Sequence, residues 1–341
     1  MPEKLEGLVI GRAPGYFVVR TDEGATRLCT IRGKLRRARL QSRRPSPPPS
    51  RIRTVPASAN VITPPEPEEA DIPVIVAVGD RVQVTPDGTT GGAIDAILPR
   101  HNKLSRAAIE STEEQILLAN LDQVVLVFAI REPTPHFGLL DRYLVVTEDS
   151  DIPAIICFTK IDLGVPDEVL EGIRLYESLG YRIIQTSTVW HEGIATLHDL
   201  MEHHVTLLTG PSGVGKSTLL NIIEPTALQR VGEISLATGK GKHTTTGVRL
   251  FPLSNGGWLA DSAGIREFAP WGIVKERLPA AFVEFRPYLG HCAFDDCDHD
   301  ENATGCAIHS AVDEGKIAVT RYESYLRLLD EIPKPLDYPK K

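Results

Sequence analysis

Three short motifs occur in this chain in an unusual order. Thr159-Lys160-Ile161-Asp162 comes first, Gly210-Pro211-Ser212-Gly213-Val214-Gly215-Lys216-Ser217 second, and Asp261-Ser262-Ala263-Gly264 last. The octapeptide is a full G-x-x-x-x-G-K-S phosphate loop, with the strand-like Val205–Thr209 before it and helix-forming Thr218-Leu219-Leu220-Asn221 after it. The tetrapeptide has the form of a guanine-reading motif, and the last motif that of a DxxG sensor of magnesium and γ-phosphate. In an ordinary GTPase the phosphate loop comes first and the base-reading motif last. The rotated order predicts a circularly permuted nucleotide domain.

The texture around the motifs agrees with an α/β sheet. From Asn120 onward, apolar β-rich runs at Val124–Ala129, Ala154–Phe158, Ile183–Thr186 and Val205–Thr209 alternate with helical spacing at Gly138–Glu148 and Asp167–Leu179. Such alternation builds a parallel sheet, and ligands on parallel sheets sit at the carboxyl ends of the strands, where the motifs fall. Ahead of it, five short runs read as strands: Glu6–Arg12, Tyr16–Arg20, Thr26–Arg32, Asp80–Val84 and Gly92–Leu98. With glycine-rich turns between them they predict a small barrel of the OB type, a sandwich being the alternative. Residues 34–73 interrupt this barrel with nine prolines, a basic start (Lys34, Arg36, Arg37, Arg39, Arg43, Arg44) and an acidic end (Glu66, Glu68, Glu69). Such a stretch buries too little apolar surface to offset its ordering entropy, and reads as a disordered insertion.

The net charge of −8 conceals an asymmetry, because residues 1–60 carry 13 Lys/Arg against 4 Asp/Glu. A basic front end on an acidic protein points to a polyanion partner or to a solvated tail. No apolar run approaches the ~20 residues that span a bilayer, and the early charges Glu3, Lys4 and Glu6 leave no signal-peptide core. A cytoplasmic location is therefore expected, with no membrane partner. Three of the five cysteines fall between positions 292 and 306, which reads as a metal cluster plus two lone thiols, Cys29 and Cys157.

Each motif implies particular chemistry. Glycines at 210, 213 and 215 let backbone amides of Gly210 to Thr218 wrap the phosphates, with Lys216 bridging the β- and γ-phosphates and Ser217 on Mg²⁺. Asp162 can accept from N1 and N2 of guanine, a pair that adenine lacks, so it is expected to select GTP. Thr159 stands where Asn is usual. It keeps a hydroxyl and loses an amide, leaving one contact, to the base or to the phosphate loop, in question. Lys160 completes the motif, and Thr186-Ser187-Thr188 occupies the place of the further base-contacting loop. Asp261 is expected to reach Mg²⁺, and the Gly264 amide the γ-phosphate. Ile265 follows where many GTPases carry the glutamine that orients the attacking water. Between them, Gly239-Lys240-Gly241-Lys242-His243-Thr244-Thr245-Thr246 is suited to a first switch, with Thr245 a magnesium ligand and His243 a candidate to orient water or a surface histidine. Cys292-x4-Cys297-x-His299-x6-Cys306 is a Cys3His set for closed, structural, tetrahedral zinc, with His291 and His309 as neighbouring imidazoles.

Together these features resemble the ribosome small-subunit-dependent GTPase A family, also called RsgA, YjeQ or EngC. The resemblance rests on the barrel start, TKID, GPSGVGKS, DSAG, the switch stretch GKHTTTG, the terminal cysteines, and Leu98-Pro99-Arg100 with Leu104-Ser105-Arg106. Thr159, Ala263 in place of a DxPG proline, a longer step from His299 to Cys306, and the insertion depart from the family pattern. The resemblance implies an OB-type barrel over residues 1–100, a permuted P-loop GTPase domain over 112–272 and a helical zinc-binding domain over 273–341. It also implies a monomer that docks on the small ribosomal subunit and its rRNA late in assembly, hydrolyses GTP to GDP and phosphate with subunit-stimulated turnover, and then leaves. Switch II then runs directly into the zinc domain, so loss of γ-phosphate at Gly264 could pull on it. An rRNA-binding factor with a vestigial nucleotide site is the alternative, disfavoured by intact Lys216, Ser217 and Asp261. A P-loop ATPase or kinase is disfavoured by Asp162.

Overall fold

The computed structural model describes residues 4–32, 76–107, 114–225, 248–260 and 273–332. The insertion at 34–73, His243, Thr245 and the Asp261–Gly264 motif lie outside these residues. The chain forms two compact units, Met1–Pro99 and Arg100–Lys341.

The first unit is a closed five-stranded barrel in the order β1-β2-β3-β5-β4, which decides against the sandwich. Its strands are β1 Leu5–Ala13, β2 Tyr16–Thr21, β3 Thr26–Ile31, β4 Arg81–Asp87 and β5 Gly91–Ile97. All neighbours are antiparallel except β3 and β5, so the ring is closed by one parallel pair. Val9, Val19, Cys29, Val76, Val82, Val84 and Ile94 fill it, and burial pushes the Cys29 thiol up to about 11. Pro86 and Asp87 belong to β4, so the turn falls later than the Pro-Asp-Gly signal implies.

The second unit opens with a two-stranded hairpin that the sequence pattern does not show, β6 Lys103–Ala107 and β7 Glu114–Ala119. A six-stranded sheet follows in the order β10-β9-β8-β11-β13-β12, parallel except for β12. Its strands are β8 Gln123–Ala129, β9 Ala154–Thr159, β10 Arg182–Gln185, β11 Val205–Thr209, β12 Leu250–Pro252 and β13 Trp258–Ala260. Every residue of β8 and β11 is buried, as central parallel strands covered on both faces must be. Helices α1 Phe137–Asp149, α2 Asp167–Ser178, α3 Ile194–Leu200 and α4 Lys216–Ile223 make the crossovers. The chain order reverses at β8, which lies between β9 and β11, and the crevice at such a reversal is where ligands bind.

The carboxy-terminal segment holds α5 Leu278–Ala281, a 3₁₀ turn at Val283–Tyr288, α6 Ala307–Asp313 and α7 Val319–Glu331. It docks on α1. Buried Arg321 of α7 pairs with Asp141 of α1 at 2.5 Å and with Glu284 at 2.6 Å, and its guanidinium lies over the rings of Phe282 and Tyr176. Three outer pairs flank it: Arg142 with Glu331, Glu148 with Arg286 at 2.7 Å, and Asp149 with Arg277 at 2.6 Å. The inward face of α7 is Arg321, Ser324, Tyr325 and Leu328, whereas the apolar spacing centres it on Tyr322, Tyr325, Leu326 and Leu329. Among the described residues no helix is long and apolar enough to cross a membrane.

Candidate functional site

The phosphate loop leaves β11 at Gly210, whose φ of 149° and whose Cα approach to the neighbouring strand admit no side chain. A Cβ there would lie 2.0 Å from the Val127 carbonyl. The loop then folds back through Gly213 and Gly215, both at positive φ, into α4, which starts at Lys216. Leu219, Leu220 and Ile223 anchor that helix in the sheet's core, leaving its first turn, with Ser217 and Thr218, exposed. Lys216 Nζ donates to the carbonyls of Gly210 at 2.9 Å and Pro211 at 2.5 Å, which bends the ammonium across the loop's mouth. Burial lowers its pKa, a cost that a polyphosphate beside it would reverse.

The tetrapeptide leaves the adjacent end of β9. Lys160 takes a left-handed φ of 62°, turning Ile161–Leu163 into one 3₁₀ turn that presents Asp162. Ser187, just past β10, donates to Asp162 Oδ1 at 2.6 Å, and the Ser187 oxygen accepts from the amides of Val189 and Trp190. The carboxylate is thereby fixed in rotation before any ligand arrives. Two further ties join this motif to the phosphate loop. Lys160 Nζ donates to Gly213 O at 2.9 Å and to Glu132 O, and the Thr159 hydroxyl donates to Val214 O at 2.6 Å. The structure thus brings Thr159, Lys160, Asp162, Ser187 and the loop from Gly210 to Thr218 together at one sheet edge. The expected switch residues His243, Thr245, Asp261 and Gly264 fall outside the described residues, although β13 ends at Ala260, directly before Asp261.

In the carboxy-terminal segment the ligand atoms of Cys292, Cys297, His299 and Cys306 all lie within 4.8 Å of one another. Each of the three sulfurs lies 3.5 Å from His299 Nδ1. A single ring nitrogen cannot satisfy three thiols by hydrogen bonding. Tetrahedral bonds of ~2.3 Å to sulfur and ~2.0–2.1 Å to nitrogen require an S···N edge of about 3.5 Å, so the donor set fits such an ion. Burial pushes the Cys306 thiol up to about 12, and a divalent cation is what would hold it as thiolate. Gly305 makes the turn before Cys306, since a Cβ there would lie 2.6 Å from Ala293 Cβ. His309 is not in the cluster. The Tyr322 hydroxyl gives its proton to His299 O at 3.0 Å, so the 2.7 Å contact with His309 Nε2 is a bond that the imidazole donates. Tyr325 likewise caps Asp298 O at 2.6 Å, so α7 holds the metal loop by its backbone, a pair of contacts that helical spacing alone did not reveal.

The family model for the RsgA GTPase matches residues 97–271. A Gemmatimonas aurantiaca protein named small ribosomal subunit biogenesis GTPase RsgA is 36% identical over 335 residues, 97% of this chain and 99% of its own. The chain belongs to the RsgA GTPase family. A second RsgA of that name, from Azotobacter vinelandii, is 42% identical over 270 residues, covering 78% of this chain and 77% of its own. The crystal structure of YjeQ from Thermotoga maritima superposes with a TM-score of 0.70 at 29% identity, covering 97% and 99% of the two chains. That of YloQ, a circularly permuted GTPase, gives 0.67 at 26% identity, covering 98% of each. The rotated order of motifs is thus the order of an RsgA fold.

Proposed function

We propose that this chain hydrolyses GTP to GDP and phosphate, and that it does so on the small ribosomal subunit, whose late maturation it assists. The observation that carries the reading is the coupling of two subsites at one sheet edge. A carboxylate locked by Ser187 is positioned for a guanine edge, and the loop that would hold its phosphates is tied to the same motif through Thr159 and Lys160. The small-subunit biogenesis role for which its relatives are named supplies the ribosomal setting.

In this reading the guanine side is Thr159, Lys160, Asp162 and Ser187, and the phosphate side is Gly210, Pro211, Ser212, Gly213, Val214, Gly215, Lys216, Ser217 and Thr218. Lys216 swings from the Gly210 and Pro211 carbonyls to neutralise charge building on the γ-phosphate, the Gly264 amide contacts that phosphate, and His243 orients the attacking water. The oxygens of Ser217, Thr245 and Asp261 would hold Mg²⁺, which would supply positive charge to offset that of the phosphates. Cys292, Cys297, His299 and Cys306 would hold one structural zinc. The parts divide as a barrel to residue 100, the GTPase domain over 112–272 and the zinc domain from 273. The amino-terminal unit, with its basic stretch from Lys34 to Arg44, meets rRNA, and the protein acts as a monomer in the cytoplasm.

The decisive measurement is phosphate release from GTP with and without purified small subunits. Slow release alone and faster release with subunits is the expected result. Equal rates would overturn the ribosomal part, and no release under either condition would overturn the GTPase.

A further inference from the structure

Thr159 has one proton to divide between two tasks. Its side chain is buried, 4% exposed, and faces the phosphate loop. The hydroxyl donates to Val214 O at 2.6 Å, and the other carbonyl nearby, Phe128 O, lies farther away at 3.4 Å. A hydroxyl has one proton, whereas the amide of asparagine has two. Guanine N7 is an acceptor, so a residue can serve it only by donating. With its one proton on Val214, Thr159 has none to offer, and its remaining lone pairs are useless to N7. The neighbouring ammonium of Lys160 is drawn to the carbonyls of Gly213 and Glu132, on the phosphate side.

We infer that Thr159 is a positioning residue for the phosphate loop, and that neither it nor Lys160 donates a hydrogen bond to guanine N7. This rests on the proposed guanine-nucleotide reading and sharpens it. Selection of guanine then falls on the N1 and N2 edge, which Asp162 reads, and Thr159 contributes to affinity for any nucleotide whose phosphates occupy the loop.

The test uses the full-length protein and titrates GDP against 7-deaza-GDP, in which N7 is a C–H and the Asp162 edge is unchanged. One neutral hydrogen bond is worth roughly two- to ten-fold in affinity. The expected result is equal affinity within about two-fold for the natural chain. Thr159→Asn, which gains a second proton, should favour GDP over the deaza analogue by several-fold. Thr159→Val should weaken both ligands equally, and Thr159→Ser should restore both. A natural chain that binds 7-deaza-GDP five-fold or more weakly than GDP overturns the inference, as does a Thr159→Val variant that changes the ratio of the two. Absence of GDP binding altogether would instead overturn the guanine-nucleotide reading itself, so the two failures are distinct.

Discussion

At the scale of single residues, the site separates charge from recognition. Among the described residues, Lys216 is the cation bent over the mouth of the phosphate loop, where it bonds to two loop carbonyls. Replacing it by alanine leaves the transferring phosphoryl group without that cation. Lys216→Ala should therefore lower GTP turnover by at least about a hundred-fold, and single-turnover phosphate release checks this. In the proposed reading Asp162 does the opposite work, its oxygens accepting from the guanine edge and leaving the phosphates to the loop. Asp162→Asn should weaken GTP and favour xanthosine triphosphate, whose ring has a carbonyl where guanine has N2–H2. Competition titrations of both nucleotides against both proteins decide the point, and an unreversed preference would remove Asp162 from the base site. Most of this chemistry is legible in the sequence, because phosphate and guanine motifs are local and their spacing carries it. What Thr159 does with its one proton is not. That depends on the carbonyl of Val214, fifty-five positions away, and no local pattern reports it.

At the scale of elements, α1 joins the nucleotide sheet to the carboxy-terminal segment through four ion pairs, one of them buried. The exposed pairs contribute little individually. The buried one is different, because removing Arg321 strands Asp141 and Glu284, whose side chains are 3% and 6% exposed, without their cation. Arg321→Met should cost about 3–5 kcal/mol of stability, read from denaturant unfolding, with α7 becoming sensitive to protease first. Neutralising one stranded acid as well, in Arg321→Met/Asp141→Asn, should recover part of that stability. Helical spacing discloses α7 but places its inward face about one residue away, because a charged residue in an amphipathic pattern reads as solvent-facing. Only partners 180 and 37 positions distant make its burial tolerable. Helix α3 is hidden in the sequence for a related reason, being seven residues long with Gly193 and no side-chain cap at its start. The metal loop packs against the same first two turns of α7, held by Tyr322 and Tyr325. Cys297→Ser should lose the metal and loosen this segment while GDP affinity stays within about two-fold, since the nucleotide site is built from other elements. Metal analysis beside a GDP titration tests both halves, and absence of zinc from chelator-free natural protein would refute the zinc assignment.

At the scale of the whole molecule, the rotated motif order announces the fold, because one sheet with β8 at its reversal accommodates the phosphate strand after the base-reading strand. The order also carries β13 and the DxxG motif straight into the segment that packs on α1. The basic front end is what that order does not explain. The arginines of the barrel that could meet rRNA already have partners within it. Arg81 grips Asp22 through two bonds of 2.7 and 2.6 Å, Arg32 pairs with Asp95, and Arg27 donates to the carbonyls of Gly88 and Gly91. Arg20 donates to Thr26, and the Arg12 guanidinium lies over the ring of Phe17. Arg81 and Arg32, already neutralised by carboxylates, release fewer counterions on meeting a phosphate, so the barrel alone should give a shallower salt dependence than its five arginines would suggest. Lys34, Arg36, Arg37, Arg39, Arg43 and Arg44 are the natural source of a steep one. Replacing all six by glutamine should weaken binding to small subunits and flatten the log–log salt slope by roughly 0.7 for each RNA phosphate left without its cation. GTP turnover by the free protein should not change, because none of the nucleotide motifs is touched. Subunit affinity measured across a salt series for the natural chain and the six-fold variant gives the answer. Superimposable slopes would return the RNA interaction to the barrel and leave the basic stretch a solvated loop.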